Sequence, residues 1–299
     1  MDQLAAMRIL LLSVDKGSFS AAGRELRMPL ATVSRKIAEL EKHLGARLLV
    51  RTTRKLALTE AGAAYLVSTR RILEEVSEAE RVAAGEFCVP RGELVLTAPV
   101  LFGRLHILPI VTAFLAAYPE IDIRLRFSDR NVDLIDEHVD MGVRIGPLPD
   151  SSMVATRVGS MRTVVCLSPE LIARHGEPES PVDLNAMPCV SFDALPPHRA
   201  WSFRDGKRII HLVIKPRLSV STAEAAVWAA AQHVGATRVL HYQCADALRD
   251  GSLRLILAES EIEPIPVHLI HADRGDLPLK MRVFLDFAVS RLRGALRSI

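Results

Sequence analysis

Apolar residues recur every three or four positions over the first 45 residues, which is the spacing of amphipathic helices. One run covers residues 4–14, and a second follows Ser18, a residue type that often caps the N-terminus of a helix. Pro29 interrupts the second run. Because proline is favoured in the first turn of a helix, the pattern predicts a third helix that begins there and ends at Gly45.

The third predicted helix has one apolar face and one polar face. Val33, Ile37 and Leu40 share the apolar face, whereas hydroxyl and cationic side chains project from the rest of its N-terminal half. Packed across a neighbouring helix through a short turn, such a helix forms the helix-turn-helix that reads base edges in the major groove of DNA. A solvated amphipathic helix is the alternative interpretation, because exposed charged faces are common. The outward-facing polar residues are Thr32, Ser34, Arg35 and Lys36.

Residues 47–58 read as two short strands joined by the basic loop 51–55, which predicts a hairpin beside the third helix. Such a wing can reach phosphates or the minor groove. Residues 20–58 hold nine Lys and Arg against three Glu, a net charge of +6, whereas the whole chain carries only +3. The remainder is therefore net acidic, and any surface that binds a polyanion is confined to the N-terminal block.

One long helix is predicted from Thr59 to about residue 84, because no proline interrupts a regular spacing of apolar and small positions. A helix of roughly 26 residues would be about 39 Å long and would extend beyond a domain of ~60 residues. The spacing therefore favours self-association through a coiled-coil-like seam, with packing on its own domain as the alternative. The seam positions are Gly62, Tyr65, Thr69, Ile72, Val76, Ala79 and Ala83.

Beyond residues 89–92, strand-like runs alternate with helical ones, and this order predicts an α/β domain or two small ones. The predicted strands are 93–97, 122–127, 141–145, 163–167, 190–192 and 267–271. The predicted helices are 107–118, 131–137, 222–232 and 278–296.

The composition, 49% hydrophobic and 24% charged, is that of a folded protein. The length of 299 residues favours two or three domains. The N-terminal apolar run is too short for a membrane span and lacks the flanks of a signal peptide, so we expect a cytoplasmic protein without membrane contact. The cysteines lie far apart in the sequence, which favours buried thiols over a zinc site or a disulfide scaffold. No cofactor is predicted. The four cysteines are Cys88, Cys166, Cys189 and Cys244.

Residues 17–62 resemble the DNA-binding segment of the LysR-type transcriptional regulators, and the resemblance extends over the whole chain. The stretch RIGPLPDSS, residues 144–152, looks like one subgroup of that family. The matching N-terminal positions are Ala21-Ala22, Leu26, Val33-Ser34, Leu40-Glu41, Leu44-Gly45, Leu48-Leu49, Arg51, Leu58-Thr59 and Gly62.

The resemblance implies a fold of class α plus α/β. It places an N-terminal winged helix-turn-helix over residues 1–58, a linker helix for dimerisation over 59–88 and an effector-binding regulatory domain over 89–299. The regulatory domain is then similar to periplasmic binding proteins, with two α/β lobes joined by crossover strands. Lobe one combines residues 92–164 with 269–299, and lobe two is 165–268.

In this family the third helix and the wing contact DNA, and the effector binds between the lobes. Helix N-termini with Ser or Thr caps supply amide donors for a carboxylate, which suits a small organic acid or an aromatic effector. Plain helix capping explains Ser221 and Thr222 equally well, and Val100 and Phe102 also fit a lobe core. The implied DNA contacts are Thr32, Ser34, Arg35 and Lys36 on the helix and Arg51, Thr52 and Arg54 in the wing. The implied effector contacts are Ala98, Val100, Phe102, Ser128, Arg144, Gly146, Ser221 and Thr222.

The chain departs from the family pattern in two places. Pro29-Leu30 stands where many members have Ser followed by Gln or Pro, so no side-chain contact from position 29 is carried over. Within residues 229–248, polar or bulky residues replace small or apolar ones. A repacked surface loop is one interpretation, and the other is that Arg238 or His241 faces the cleft and changes the choice of effector. The replacing residues are His233, Arg238, His241 and Tyr242.

Other functions find less support in the sequence. The chain lacks the Gly-x-Ser-x-Gly, phosphate-loop and His-Glu-x-x-His motifs, so no enzyme is predicted. A transport protein would need export, and a thiol-based redox-sensing regulator would need reactive cysteines. We therefore expect a regulator that binds an imperfect inverted repeat in double-stranded DNA as a homodimer or homotetramer. It would sense a small molecule, and contact RNA polymerase if it activates. A cytoplasmic small-molecule-binding protein and a thiol-based redox-sensing regulator are the alternatives.

Overall fold

The structure is a computed structural model that describes residues 2–51, 56–83, 89–148, 153–192, 200–273 and 277–297. The chain divides into two compact units, Met1–Val89 and Pro90–Ile299. The division falls at Pro90. It lies within the short stretch where the long predicted helix ends and the alternation of strand-like and helical runs begins.

The first unit contains helices and a small hairpin in the order that the sequence predicts. Its elements are α1 (Gln3–Asp15), α2 (Phe19–Glu25), α3 (Leu30–Leu44), β1 (Leu49–Arg51), β2 (Leu56–Leu58) and α4 (Glu60–Ala83). The predicted helix ends are confirmed: the Ser18 hydroxyl accepts from Ser20 N at 3.2 Å, and Pro29 immediately precedes α3. Gly45 ends α3 with φ +65°, a left-handed conformation that glycine adopts without strain.

The core of the first unit lies between α1, α3 and the hairpin. Leu10, Val33, Ile37, Leu40 and Leu48 have almost no accessible surface and form one cluster. The buried residues of α3 are those of its predicted apolar face, so the period of the sequence pattern decides which face of this helix remains exposed.

Helix α4 uses the first part of its predicted seam within its own unit. Tyr65 packs on the cluster of the first unit, and Thr69 is buried. Gly62 is pressed against the hairpin, because a Cβ there would lie 1.9 Å from Leu48 O. Further along the helix Ile72 and Val76 are only half-buried. Packing on the same domain therefore explains the first half of the seam, and self-association remains an expectation for the second half.

The second unit contains two five-stranded sheets, which we call the lobe-one and lobe-two sheets. The lobe-one sheet has the order β4-β3-β5-β14-β6 and the lobe-two sheet the order β11-β8-β12-β7-β13. Strands β9 and β10 pair separately as a hairpin. The strands are β3 (Gly92–Ala98), β4 (Ile121–Phe127), β5 (Met141–Ile145), β6 (Met153–Met161), β7 (Thr163–Leu167), β8 (Cys189–Phe192), β9 (Ala200–Asp205), β10 (Arg208–Val213), β11 (Leu218–Val220), β12 (Ala236–Leu240), β13 (Arg254–Ile256) and β14 (Ile265–Ala272).

Helices cover these sheets. Within the described residues, one helical stretch, Val100–Ala117, has the length and apolar composition of a membrane span, and its side chains Phe102 and Phe114 are buried in the lobe-one core. The helices are α5 (Val100–Phe102), α6 (Leu108–Ala117), α7 (Pro169–His175), α8 (Ala223–Ala231), α9 (His241–Arg249) and α10 (Leu279–Leu296). A π-helical turn (Gly103–Ile107) joins α5 to α6, and Pro181–Ala186 and Ala258–Ser260 are 3-10 turns.

The chain crosses between the sheets at Arg162 and again between Ile256 and Ile265. The boundaries expected from sequence, 164/165 and 268/269, fall inside β7 and β14, and each of these strands stays within one sheet along its full length. The two crossings are tied together, because Arg162 donates to both carboxylate oxygens of Glu261 at 2.8 and 2.9 Å.

Residues 131–137 and 229–248 do not have the structure that the sequence analysis expected. Residues 131–137 form turns, because the Asp133 carboxylate accepts from Ile135 N and Asp136 N and His138 adopts φ +53°, which ends the turn. The surface-loop interpretation of residues 229–248 is wrong, because this stretch contains the end of α8, the sheet strand β12 and all of α9 except its last residue. The sequence analysis did not predict strands β6 and β9 to β13 or helices α5, α7 and α9.

Candidate nucleic-acid interface and ligand cleft

Helix α3 presents a polar face to solvent. Among the four predicted contacts on α3, the Arg35 side chain is the most exposed, with 71% of its surface accessible and a 3.8 Å ion pair to Glu39. Thr32 and Lys36 are half-buried on one flank of the helix, and Ser34 is half-buried on the other. None of the four predicted residues therefore lies on the buried face of α3. Arg35 lies opposite that face, and the other three lie on its two flanks.

A tight turn fixes α3 against α2. Met28 N donates to Gly23 O at 2.8 Å, and Arg27 adopts φ +52°. A Cβ on Gly23 would lie 2.8 Å from Met28 O and 3.5 Å from Val33 Cγ2, so only glycine permits this approach. The arrangement of α2, turn and α3 is a helix-turn-helix.

The wing is held to α3 by one carboxylate. Glu41 accepts from Leu48 N at 2.8 Å and from Leu49 N at 3.1 Å. Strands β1 and β2 pair antiparallel, as the sequence predicts. Arg51 lies in β1, whereas its side chain and the predicted contacts Thr52 and Arg54 lie outside the described part of the chain.

Three parallel strands of lobe one end at the predicted effector positions. β3, β4 and β5 are mutually parallel, and Val100, Ser128 and Gly146 follow their carboxyl ends. Ligands of open α/β sheets bind at such edges. Val100 is 36% exposed and donates its N–H to Asp129 at 3.0 Å, while Ser128 Oγ accepts from Arg130 N.

Of three other lobe-one candidates, two are fully buried and the third, Arg144, is half-buried and already hydrogen-bonded within the protein. Ala98 and Phe102 have no accessible surface, so an effector would contact them only after a rearrangement. Arg144 donates to the carbonyl oxygens of Val132 and Val143. Burial lowers the pKa of Arg144, and the charge of Glu137 opposes that shift.

On the lobe-two side, Ser221 follows the carboxyl end of β11 and is exposed, and Thr222 caps α8 by accepting from Ala225 N at 3.3 Å. An ion pair that sequence reasoning missed joins this helix start to lobe one, with Arg104 Nη2 2.9 Å from Glu224 Oε1. No sequence signal pointed to it, because its partners lie 120 residues apart.

A second contact between the lobes is aromatic. Tyr242 on α9 is buried against the lobe-one core, with its ring centroid 5.8 Å from Phe102 and 5.7 Å from His106. The sequence marked Tyr242 as a departure without assigning its contacts. Burial raises the pKa of Tyr242 and lowers that of His106, so both rings are neutral near pH 7.

The second unit, Pro90–Ile299, is expected to be less stable in mild acid than at neutral pH. Burial lowers the pKa values of His106, His241 and His268 in the folded state. Because the unfolded chain keeps histidine pKa values of about 6.5, it binds more protons than the folded chain below that pH. We expect the free energy of unfolding, measured in urea, to be constant above about pH 7 and to fall from about pH 6.5 downward. H106Q should flatten part of this decline and the exposed control H175Q should not; an unchanged decline in H106Q would contradict the assignment.

The fold brings together two cysteines that the sequence separates. Cys166 and Cys244 interact in one buried cluster of lobe two. The hydrogen bond with Cys244, together with burial, raises the pKa of Cys166, and burial raises that of Cys189 to about 11. Cys166 and Cys189 are therefore poor nucleophiles. The pKa of Cys244 is instead lowered, because the hydrogen bond with Cys166 outweighs the opposing effect of burial. Cys88 lies outside the described residues, among which no three His, Cys, Asp or Glu side chains gather as metal ligands would.

Comparison with known proteins decides the family. The bacterial regulatory helix-turn-helix pattern of the lysR family matches residues 4–63, and the LysR substrate binding domain pattern matches residues 89–293. The chain belongs to the LysR family. The helix-turn-helix and the two-lobed α/β unit described above are therefore the DNA-binding and substrate-binding domains of a LysR-type transcriptional regulator, as expected from the resemblance.

Relatives that match this LysR-type chain over most of its length are named as transcriptional regulators. An HTH-type transcriptional regulator of Xanthomonas campestris is 36% identical over 286 residues, 93% of this chain and 82% of that protein. The structure of CrgA, a LysR-type regulator from Neisseria meningitidis, is 31% identical with a TM-score of 0.62, covering 96% and 98% of the two chains. The Vibrio cholerae virulence activator AphB is 26% identical with a TM-score of 0.61, covering 96% and 98%. These names describe regulators rather than enzymes.

Proposed function

We propose that this LysR-type regulator binds an imperfect inverted repeat in double-stranded DNA as a homodimer or homotetramer, and that a small molecule bound between its lobes changes that binding. The observation that carries the proposal is the exposed polar face of α3, headed by Arg35, on a rigid helix-turn-helix. This role places the protein in the cytoplasm, together with the chromosome.

The exposed face of α3 suits direct readout of bases. Arg35 can donate two hydrogen bonds to the O6 and N7 atoms of guanine, and the hydroxyls of Thr32 and Ser34 can bond to several bases. Lys36, with Arg51, Thr52 and Arg54 of the wing, would contact phosphates and the minor groove. The exposed Leu30 and Ala31 at the start of α3 add an apolar surface that suits the methyl group of thymine.

The second half of α4 supports self-association. Ile72 and Val76 remain half-buried and Ala79 exposed on a helix of 24 residues, which is about 36 Å long. Two copies paired along this stretch would relate their α3 helices by a two-fold axis. The half-sites would then be separated by about one helical turn, ~10 base pairs, or a multiple of it.

The geometry of the second unit supports effector binding between the lobes. The carboxyl ends of β3, β4 and β5 and that of β11 carry Val100, Ser128, Gly146 and Ser221, and the Arg104–Glu224 ion pair spans the lobes at the start of α8. An effector that binds there would alter the ion pair and the position of one lobe relative to the other. Arg144 and Thr222 would contribute only if their present hydrogen bonds were exchanged.

Footprinting tests the proposal. The purified full-length chain is incubated with the intergenic DNA upstream of its own gene at two salt concentrations, with random DNA as competitor. We expect a protected inverted repeat that survives the competitor and weakens as salt is raised, because phosphate contacts release counterions. Protection no stronger than that of random DNA would leave a small-molecule-binding protein with a basic arm.

A further inference from the structure

The β9–β10 hairpin of lobe two has an inner face that packs on the protein and an outer face that does not. Trp201 and Phe203 lie on the inner face and belong to a buried apolar cluster. On the outer face, Ile209 is 63% and Val213 65% exposed, and among the described large hydrophobic side chains only Trp228 is more exposed. Exposed aliphatic side chains that share one face are typical of surfaces that bind another molecule. The outer face consists of Ala200, Ser202, Arg204, Ile209, His211 and Val213.

Positive charge is concentrated in the same segment. Residues 200–217 hold five Lys and Arg against one Asp, a net charge of +4, whereas residues 90–299 as a whole hold 24 basic and 24 acidic side chains. Elsewhere in lobe two, exposed arginines such as Arg174 and Arg249 pair with a neighbouring carboxylate. The five cations of the hairpin segment form no ion pair within the part of the chain that the structure describes. The hairpin therefore carries a charge that the described residues do not neutralise.

Three of the cations lie at the turn end of the apolar face. Arg204 is directly across from Ile209 in the register of the hairpin, and Lys207 and Arg208 are exposed at the turn. Ile209 and Val213 are four residues apart on one strand, which corresponds to about 13 Å. Two turns of an α-helix span about 11 Å, so the apolar stripe of a short helix can cover both side chains while its flanking residues reach the cations.

We propose that the outer face of the β9–β10 hairpin binds an acidic amphipathic helix of a partner protein. The helix places aliphatic side chains against Ile209 and Val213, and its carboxylates pair with the cations at the turn. This proposal concerns lobe two alone, goes beyond the proposed function and does not depend on it.

Charge complementarity favours this occupant over two others. DNA would neutralise the cations, but its phosphates would leave the two aliphatic side chains without apolar contacts. Two copies of the chain that met through the same face would bring like charges together. Because the apolar part of the face is small, we expect a transient complex that weakens as salt is raised.

Fluorescence anisotropy of a labelled peptide tests the proposal on the full-length chain. The probe is a short synthetic helix with leucine at every third or fourth position and glutamate elsewhere. One comparison peptide has lysine in place of glutamate, and the other has serine in place of leucine. We expect saturable binding of the acidic probe, weakened by salt, and at least tenfold weaker binding of both comparison peptides.

Two double variants separate the apolar contribution from the charged one. I209S/V213S removes both aliphatic side chains, and K207E/R208E reverses two of the cations. Each is expected to weaken binding of the acidic probe at least tenfold and to leave Tm unchanged, because the four side chains are exposed.

Two single variants elsewhere in lobe two are the matched controls. V182S changes an aliphatic side chain that is 59% exposed, and R254E reverses an exposed arginine of β13. Both should bind the acidic probe within twofold of the parent chain.

Four results would overturn the proposal. The first two are no saturable binding of the acidic probe, and binding by I209S/V213S within twofold of the parent. The third is loss of affinity for a non-operator DNA duplex in K207E/R208E with unchanged binding of the probe, which would assign the face to DNA. The fourth is a lower mass of I209S/V213S than of the parent in light scattering, which would assign the face to a second copy. Footprinting stays a separate readout, because absence of protection in the parent chain refutes only the regulator.

Discussion

Substituting alanine for Phe102 is expected to lower the free energy of unfolding of the regulatory unit by about 3–5 kcal/mol, because the change removes a fully buried aromatic ring and leaves a cavity. The ring contacts both His106 and Tyr242, so the loss affects the contact between the lobes as well as the lobe-one core. Urea unfolding of the full-length chain, followed by circular dichroism, measures the effect.

The controls for this substitution decide between two roles for Phe102. V100A changes a neighbouring residue that is 36% exposed, and we expect it to cost less than about 1 kcal/mol. F102L keeps most of the buried volume and should recover most of the lost stability. An F102A variant with parental stability but weakened ligand binding would return Phe102 to the effector-contact role that the sequence analysis assigned to it.

Replacing Arg35 with alanine is expected to weaken binding to the operator by about 1–3 kcal/mol, or roughly 5- to 150-fold, and to relax the preference at one base pair of each half-site. The reason is the position of the side chain, which is the most outward cation in the first half of α3. Gel-shift titration on the footprinted DNA and on single-base variants of it measures both effects. K42A removes a cation near the C-terminal end of the same helix and serves as the matched control.

R54A provides the contrast. If Arg54 contacts phosphate, its removal weakens binding to all sequences alike and reduces the slope of log affinity against log salt by about one. If R35A and R54A reduce affinity uniformly and change the salt slope by the same amount, the distinction between a base contact on α3 and a phosphate contact in the wing is wrong.

The parts of the fold that the sequence predicts well are those whose hydrophobic period is long and uninterrupted. Helix α10 was expected over residues 278–296 and is observed at Leu279–Leu296. Helix α3 was predicted with its correct buried face, because Pro29 and Gly45 mark its ends and three apolar positions fix its orientation. In both elements local sequence and tertiary packing favour the same structure.

The failures share a physical cause, which is that distant residues decide the outcome. In residues 131–137 the helical pattern is interrupted because Arg144, on strand β5, donates to the carbonyl oxygen of Val132. The lobe boundaries were misplaced because pairing along all of β7 and β14, rather than composition, determines where a sheet ends. The seam of α4 was read as a single surface, although Gly62 closes its first turn onto Leu48.

The candidate sites also differ in how far the local sequence pattern determines them. The exposed positions on α3 follow from helical period alone, so the sequence could identify them, and their contact with DNA stays a prediction. The effector positions came from family resemblance, which gives strand ends but no orientation of side chains. It therefore grouped the exposed Val100 with the fully buried Phe102. Tyr242 was visible only as a departure from the family pattern, and its contacts with Phe102 and His106 in the structure make it informative.

The central claim is that two copies of α3 read two related half-sites. Selection of DNA from a random duplex library by the full-length chain, followed by sequencing, tests it most directly. We expect an imperfect inverted repeat with half-site centres ~10 base pairs, or a multiple, apart, and loss of at least one preferred base pair per half-site when R35A is used. Selected sequences without a repeat, or the same preferences for the parent chain and R35A, would contradict the account.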